Sequence, residues 1–182
     1  MNPPIRVLIH GASGRMGQAL LRLCAEQPRC QVVAAVTRKA PAQRVVEGVP
    51  FFAASELSGV PAFDVAIDFS LPEGFDPLVA LCVARGAALV SGTTGLDAPQ
   101  RAALASAATT LPVLWASNFS LGVAVLAELV ERAAAALPGW DCDVIEAHHT
   151  QKKDAPSGTA LTLGEAAGGG GAGVGHGLAP CR

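Results

Sequence analysis

The sequence lacks the features that mark several large classes of protein. It has no excess of basic residues, since 13 lysines and arginines stand against 15 aspartates and glutamates and the formal net charge is -2. No apolar run reaches the ~18 residues that cross a bilayer, and the N-terminus has no cationic start followed by a long apolar stretch. These absences argue against an electrostatic nucleic-acid binder and a membrane protein. We therefore expect a soluble cytoplasmic protein.

Cysteine is sparse and is not arranged as metal or redox motifs arrange it. The chain has five cysteines, an odd number, with no Cys-x-x-Cys pair. This usage predicts reduced thiols that mostly fill the core. The length of 182 residues is enough for one domain, or one domain and a fragment, with a sizeable core.

A glycine-rich turn follows the first apolar run of the chain. Ile5 to His10 predicts a buried strand, and the apolar pattern from Leu20 onward predicts a helix. Strand, tight turn and helix in this order are typical of dinucleotide-binding folds, in which glycines let the backbone approach a pyrophosphate and the helix N-terminus faces its charge. The spacing is Gly-x-x-Gly-x-x-Gly instead of the commoner Gly-x-Gly-x-x-Gly, so it is weak evidence alone. The turn reads Gly11-Ala12-Ser13-Gly14-Arg15-Met16-Gly17.

The residues after the second predicted strand bear on the choice of cofactor. Gln31 to Val36 forms this apolar run. A cofactor without a 2′-phosphate usually meets an acidic residue here, which hydrogen-bonds the ribose hydroxyls. This chain instead has Thr37, followed by the cations Arg38 and Lys39. The pattern favours NADP(H), and the alternative is that these are ordinary exposed loop cations.

Strand and helix patterns continue to alternate up to residue 119, which predicts an α/β fold with a Rossmann-type parallel sheet over residues 1–119. Residues 40–63 are weakly patterned and predict loops around a short strand near Phe51. The later predicted elements are a strand at Val65 to Phe69, a helix up to Arg85, a strand at Ala88 to Ser91, a helix at 98–109 and a strand at Val113 to Ala116.

A second part of the chain begins near residue 120. Leu121 to Leu137 is rich in alanine and predicts an amphipathic helix. Asp141 to Glu146 alternates polar and apolar residues as a strand does, and it leads into adjacent histidines. A further helix is predicted from Ser157, whose side chain suits an N-cap.

The stretch from Glu146 to Ala160 is dense in proton-transfer and anion-binding groups. It reads Glu-Ala-His-His-Thr-Gln-Lys-Lys-Asp-Ala-Pro-Ser-Gly-Thr-Ala. Adjacent imidazoles can supply a proton donor and a hydrogen-bonding cation at neutral pH. The first amides of a helix starting at Ser157 offer a site for a carboxylate or phosphate. The pattern therefore indicates protonation of an acidic small molecule.

Metal binding is the rival interpretation of the histidine pair. Adjacent residues of a strand point to opposite faces, and no cysteine or further histidine lies at ligand spacing in the sequence. We therefore expect no metal site.

This stretch resembles the signature of the dihydrodipicolinate (4-hydroxy-tetrahydrodipicolinate) reductase family, Glu-(Ala)-His-His-x-x-Lys-x-Asp-Ala-Pro-Ser-Gly-Thr-Ala, and the Gly-Arg-Met-Gly turn is also similar. The resemblance covers roughly residues 4–167. It implies NAD(P)H-dependent reduction of 4-hydroxy-tetrahydrodipicolinate to tetrahydrodipicolinate in lysine (diaminopimelate) biosynthesis. It implies His148 as the general acid, Lys152 as a catalytic residue that also helps to hold the substrate carboxylates, and Asp154 as an organiser of the loop. The implied substrate-binding residues are His149, Ser157, Gly158 and Thr159.

The resemblance also extends the set of cofactor contacts. It implies that Gly92, Thr93 and Thr94 lie close to the nicotinamide of NADPH or NADH, with NADPH favoured. Ser117, Asn118 and Phe119 resemble the hinge where the family's chain leaves the nucleotide domain, and the resemblance implies that they also contact the cofactor. Family members form homotetramers through strands that follow this region.

The last residues depart from the family pattern. Residues 168–182 are rich in glycine and without periodicity, so we expect an irregular tail after a partial α+β substrate domain at 120–167. The resemblance then implies a C-terminally truncated chain. We expect residues 138–182 to be loosely held, because the tail cannot pair with the strand at Asp141 to Glu146. We also expect the tetramer to be doubtful and the reductase activity to be weak or absent.

Two other functions stay open at this point. One is a dinucleotide-binding module without turnover. The other is a neighbouring enzyme of the homoserine or aspartate-semialdehyde dehydrogenase type, against which the His-His-x-x-Lys and Pro-Ser-Gly-Thr run argues.

Overall fold

The computed structural model divides the chain into two units, Met1–Ala116 and Ser117–Arg182. It describes residues 3–39, 41–148 and 156–168, and the backbone of 174–178. Within these ranges no helix combines the length and the apolar character needed to cross a bilayer.

The first unit is an α/β unit whose sheet has the strand order β3-β4-β2-β1-β5-β6-β7. Its strands are β1 (Ile5–His10), β2 (Cys30–Thr37), β3 (Val45–Val46), β4 (Val49–Ala53), β5 (Val65–Asp68), β6 (Ala88–Ser91) and β7 (Val113–Trp115). Its α-helices are α1 (Arg15–Ala25), α2 (Phe75–Arg85) and α3 (Ala98–Ala107), and 3-10 helices span Ala54–Gly59 and Pro72–Gly74.

The sheet of the first unit confirms the predicted Rossmann-type fold. All its strand pairs are parallel except β3 with β4. The chain proceeds from β1 outward to β2 and β4, and then returns to place β5 on the other side of β1. In open parallel sheets, ligands bind outside the carboxyl ends of the strands at such a reversal of strand order. The topology therefore places a candidate site at the ends of β1 and β5.

Both faces of this sheet are covered, which explains why its strands are almost entirely apolar. Successive residues of β1 point to opposite faces. Leu8 belongs to a buried cluster with Phe75 and Leu78 of α2, whereas Val7 and Ile9 belong to a second cluster. All five of these side chains are at most 2% exposed.

Helix ends in the first unit follow local signals. Asp97 accepts a hydrogen bond from the amide of Gln100 (2.8 Å), and the Gln100 side chain accepts from the amide of Asp97 (3.2 Å). This capping box begins α3. Gly86, at φ 62°, ends α2 in the left-handed conformation that glycine adopts readily.

Residues 40–63 contain more structure than the sequence predicts. The expected strand near Phe51 is β4, and it pairs with the two-residue β3 across a turn at Glu47 and Gly48, both with positive φ. Such turns suit the twist of a hairpin. The Arg44 guanidinium bonds both carboxylate oxygens of Glu56, at 2.7 and 2.8 Å, which ties the segment before the hairpin to the 3-10 helix after it.

The second unit contains α4 (Leu121–Ala136), β8 (Cys142–Glu146), α5 (Gly158–Gly168) and β9 (Val174–Leu178). Helices α4 and α5 pack together. The predicted strand and both predicted helices are confirmed with small shifts at their ends. Ser157 is the N-cap of α5, since its Oγ accepts a hydrogen bond from the amide of Ala160 at 3.0 Å.

The prediction of an irregular, unpaired tail is wrong for residues 174–178. This segment is β9, and it pairs in parallel with β8, with Val144 opposite His176. Strand pairing uses backbone amides and carbonyls, which glycine carries like any other residue. A glycine-rich segment can therefore form a strand wherever a neighbouring strand offers these groups.

Candidate functional site

An open cleft of about 930 Å³ lies in the first unit at the carboxyl ends of β1, β2 and β5. The cleft lies where the order of the strands reverses, as described above. The cleft is therefore formed by loops that a rigid sheet holds in place. It is lined by His10, Gly11, Ser13, Gly14, Val36, Thr37, Arg38, Lys39, Ala54, Phe69, Ser70, Leu71, Glu73 and Gly74.

The glycine turn has the backbone form that its sequence predicts. Gly11 has φ 79°, and a Cβ there would lie 2.7 Å from the carbonyl carbon of Phe69 and 2.9 Å from Cα of Ser70. A Cβ on Gly17 would overlap the carbonyl of Gly11 and the backbone of Ala12. Glycine is therefore required at both positions for the backbones of β1, α1 and the segment after β5 to approach one another.

Helix α1 begins at this turn, with Gly14 at its N-cap. Because glycine has no side chain to cap the helix, the amides of the first turn, at Arg15 and Met16, are available to an anion. Gly11, Ser13 and Gly14 line the cleft, whereas Ala12 and Gly17 are buried beneath it. This arrangement, in a cleft of this volume, fits the pyrophosphate of a dinucleotide.

The turn after β2 presents two cations to the cleft. Thr37 is 6% exposed, and its hydroxyl donates to the carbonyl of Lys39 at 2.7 Å. That hydrogen bond closes the turn, while Arg38 and Lys39 are exposed and line the cleft. Thr37 therefore stabilises the turn, and the positive charge at this edge of the cleft comes from Arg38 and Lys39.

The loop after β6 holds Thr93 in a way that the sequence does not reveal. Its hydroxyl donates to Asp68 at 2.7 Å, its amide donates to Ser91 Oγ at 3.2 Å, and its carbonyl accepts from the Trp115 indole at 2.9 Å. Thr93 is 1% exposed, whereas Thr94 is exposed. The backbone and side-chain groups of Thr93 are therefore engaged within the first unit.

Sequence reasoning missed a buried polar group beside the cleft. His10 and Asp68 are 3% and 0% exposed, and Nδ1 of His10 lies 2.9 Å from Oδ1 of Asp68. Burial acts to raise the pKa of Asp68, but hydrogen bonds from His10, Ser70 and Thr93 outweigh it, so this pKa lies below its ordinary value. The sequence did contain a signal for this group, since Asp68 is a carboxylate within an apolar strand. A buried polar residue is more informative about function than a buried apolar one.

The second unit joins a histidine to the start of a helix through one carboxylate. Glu146, the last residue of β8, has Oε2 2.7 Å from Nε2 of His148, and its Oε1 accepts a hydrogen bond from the amide of Ser157 at 2.8 Å. The Glu146 side chain is 14% exposed and that of His148 is 39% exposed. The imidazole is therefore oriented by a carboxylate yet accessible to a ligand.

The residues of the predicted hinge also contact the first turns of α5. The Asn118 side-chain amide donates to Thr159 Oγ1 at 2.9 Å, and Ser117 Oγ lies 3.1 Å from Thr162 Oγ1. Phe119 is 42% exposed. These three residues belong to the second unit, and their assignment as cofactor contacts stays a prediction. His149, Lys152 and Asp154 lie outside the described residues.

The carboxylate of Glu146 predicts a pH response of the second unit. Hydrogen bonds from Ser157 and His148 lower the pKa of Glu146 from 4.5 to about 2. A carboxyl group with a depressed pKa stabilises the fold above its unfolded pKa and loses this contribution as pH falls through its folded value. We therefore expect the stability contribution to fall between pH 4.5 and about pH 2, and the Ser157 amide to lose its ionised partner as pH falls through about 2.

The Ser157 amide resonance, followed by NMR titration, measures this change. The variant Glu146→Gln has no carboxyl group to titrate and serves as the control. An amide shift that moves in the same acidic window in both proteins would contradict the assignment.

The described residues hold no group of three or more histidine, cysteine, aspartate or glutamate side chains placed to bind a metal ion. Four cysteines lie in the same part of the chain, and all four are free thiols.

Comparisons with known proteins agree with this architecture. The family model described as "Dihydrodipicolinate reductase, N-terminus" matches residues 5–119, and the model for the C-terminus of the same family matches residues 122–177. The second match ends at 177, beyond the limit of 167 expected from the resemblance.

Two curated relatives have the same name. A 4-hydroxy-tetrahydrodipicolinate reductase of Stenotrophomonas maltophilia (strain R551-3) is 78% identical over 170 residues, which are 93% of this chain and 71% of the relative. A reductase of the same name from Xanthomonas campestris pv. campestris (strain B100) is 73% identical over 169 residues, with the same two shares. The chain thus spans about 71% of the length of these relatives.

A solved structure is similar over nearly the whole chain. It is the dipicolinate-bound dihydrodipicolinate reductase from Paenisporosarcina sp. TG-14, at a TM-score of 0.72 and 25% identity, and the match covers 97% of this chain and 79% of that one.

Proposed function

Because the chain belongs to the dihydrodipicolinate reductase family, we propose that it reduces 4-hydroxy-tetrahydrodipicolinate to tetrahydrodipicolinate in lysine (diaminopimelate) biosynthesis. The observation that carries the proposal is the set formed by Glu146, His148 and Ser157. It couples an accessible imidazole to the start of a helix. The helix start can bind a carboxylate of the substrate, and the imidazole can donate a proton to the substrate ring.

The first unit holds the dinucleotide in this proposal. The glycine turn and the first amides of α1 bind the pyrophosphate, and Arg38 lies at the edge where the adenosine ribose of such cofactors is bound. Gly92, Thr93 and Thr94 border the nicotinamide, and Thr93 also supports the loop through its hydrogen bond to Asp68. When bound, the reduced nicotinamide supplies the hydride.

His148 supplies the proton. Its Nε2 is bonded to Glu146, so Nδ1 is the ring atom left to face the substrate and to donate the proton. The Glu146 carboxylate orients the ring and stabilises the imidazolium form before transfer. Hydride and this proton together add two hydrogens to the ring, and the 4-hydroxyl group that the product lacks leaves as water, so the overall conversion balances.

The substrate carboxylates are held at the N-terminus of α5. The amides of Gly158 and Thr159 are the first of that helix and have no partner within it, so they suit an anion. Ser157 caps the helix and thereby sets the direction of these amides. His149 and Lys152 add positive charge in this proposal, and Asp154 organises the loop that carries them.

NADPH is the favoured cofactor because Arg38 and Lys39 are exposed at the cleft, where an acidic residue would otherwise bind the ribose. We expect Arg38→Ala to weaken NADPH binding by about tenfold, as the loss of one charge-assisted contact implies, and to leave NADH binding nearly unchanged. Titration of protein fluorescence with each cofactor measures both affinities.

Arg22→Ala is the matched control, because Arg22 is an exposed arginine of α1 that does not line the cleft. If Arg38→Ala weakens the two cofactors equally, Arg38 does not bind the 2′-phosphate.

The proposed function is tested by turnover of the substrate, followed through the absorbance of the reduced nicotinamide. The names of the relatives favour a reductase over a nucleotide-binding module without turnover. Cofactor binding without any turnover would support the module and overturn the proposal.

A further inference from the structure

One carboxylate joins the ends of three neighbouring strands beside the cleft. Asp68 ends β5 and is 0% exposed. Its Oδ1 is 2.9 Å from His10 Nδ1, at the end of β1, and 3.1 Å from the amide of Ser70. Its Oδ2 accepts hydrogen bonds from the hydroxyls of Ser91, at the end of β6, and of Thr93, at 2.8 and 2.7 Å.

An ionised carboxylate suits this arrangement, and the lowered pKa of Asp68 favours that form. Each oxygen then accepts two hydrogen bonds, and Nδ1–H of His10 is one of the four donors. An asparagine in place of Asp68 would place its NH₂ group, which is itself a donor, against two of these donors, so their hydrogen bonds would be lost.

Stability alone is a poor reason for such a group. Burying a carboxylate costs free energy that its partners only partly restore, and apolar residues of similar volume often give a fold that is at least as stable. What the network does instead is to fix positions. It links His10, directly before the glycine turn, to Thr93, in the loop after β6.

The loop after β6 also contacts the segment after β5 at the cleft. A Cβ on Gly92 would lie 2.7 Å from Cδ1 of Phe69, so the Phe69 ring lies against the backbone of this loop. Phe69 follows Asp68 directly and lines the cleft. A shift of the loop at Thr93 would therefore displace the part of the cleft wall that Phe69 forms.

We propose that Asp68 is a positioning residue that holds the Gly92–Thr94 loop, through Thr93, in the arrangement that binds the nicotinamide half of the cofactor. The inference rests on the proposed function, in which this loop borders the nicotinamide. Asp68 acts through Thr93 and Ser91 and does not itself touch the cofactor. The adenosine half, bound at the glycine turn and Arg38, does not depend on the loop.

Two ligands separate these halves in a binding experiment. NADPH occupies both, whereas adenosine 2′,5′-bisphosphate has only the adenosine half. We expect Thr93→Val, which keeps the shape and removes the hydroxyl, to weaken NADPH by about tenfold and to change the bisphosphate by less than about twofold. Asp68→Asn should weaken NADPH further and, because Asp68 also holds His10 beside the glycine turn, should weaken the bisphosphate as well. Thr93→Ser should restore NADPH binding. Calorimetry measures both affinities.

Thr110→Val is the control, since its hydroxyl bonds the carbonyl of Ala107 at the end of α3, away from the cleft lining. The inference would be overturned if Thr93→Val weakened the binding of both ligands equally, or weakened the binding of neither. It would also be overturned if Thr93→Ser did not restore NADPH binding. An unmodified chain that binds neither ligand would instead overturn the proposed function. If Asp68→Asn does not fold, the valine and serine variants decide the matter.

Discussion

Replacing His148 by glutamine is expected to lower the rate of reduction by about 10²–10⁴, because general acid catalysis contributes that much to proton transfer. Glutamine keeps a polar group near Glu146 but has no proton of suitable pKa to donate. Cofactor affinity should stay nearly unchanged, because the proposed role of His148 is proton transfer to the substrate and His148 is not among the residues that line the cleft. Steady-state rates and NADPH affinity, measured on the same preparations, test this expectation.

Asp143→Asn is the matched control for this experiment. Asp143 is an exposed residue of the same strand, β8, and lies five positions before His148. Its loss should leave the rate within about twofold, as is usual for an exposed surface substitution. A His148→Gln protein as fast as the unmodified chain would remove His148 from its role as the acid.

Gly11→Ala is expected to weaken NADPH binding by roughly 10²-fold and to lower the free energy of unfolding by about 1–3 kcal/mol. The φ of 79° disfavours any residue with a side chain, and the new Cβ would press on the backbone of Phe69 and Ser70. Both contacted residues line the cleft, so relief of the overlap must displace its wall. Calorimetric titration and thermal unfolding measure the two effects.

Gly59→Ala provides the comparison, because a Cβ at Gly59 would meet open space and its φ lies outside the left-handed region. Its stability and affinity should match those of the unmodified chain. If Gly11→Ala bound NADPH as tightly as Gly59→Ala, the glycine turn would not be the pyrophosphate site.

The strands with continuous apolar runs were the most predictable elements. β1 and β6 have the predicted bounds, and α2 ends at Arg85 as predicted. Parallel strands covered on both faces must be apolar throughout, and a glycine marks the end of α2, so both signals are local. The N-cap role of Ser157 was predictable for the same reason.

Elements held mainly by backbone pairing were not predictable. β3 has two residues, and β9 includes two glycines among its five. Neither has a side-chain pattern strong enough to indicate a strand. Each exists because a neighbouring strand offers amides and carbonyls to pair with.

The glycine turn and the run from Glu146 to Ala160 were determined by sequence alone, because the groups that define them are close along the chain. The Asp68 network was decided only by the tertiary structure. Its partners His10, Ser91 and Thr93 are 58, 23 and 25 positions away in sequence. They meet because parallel strands bring their carboxyl ends to one edge of the sheet, and the register of β1, β5 and β6 sets His10, Asp68 and Ser91 side by side.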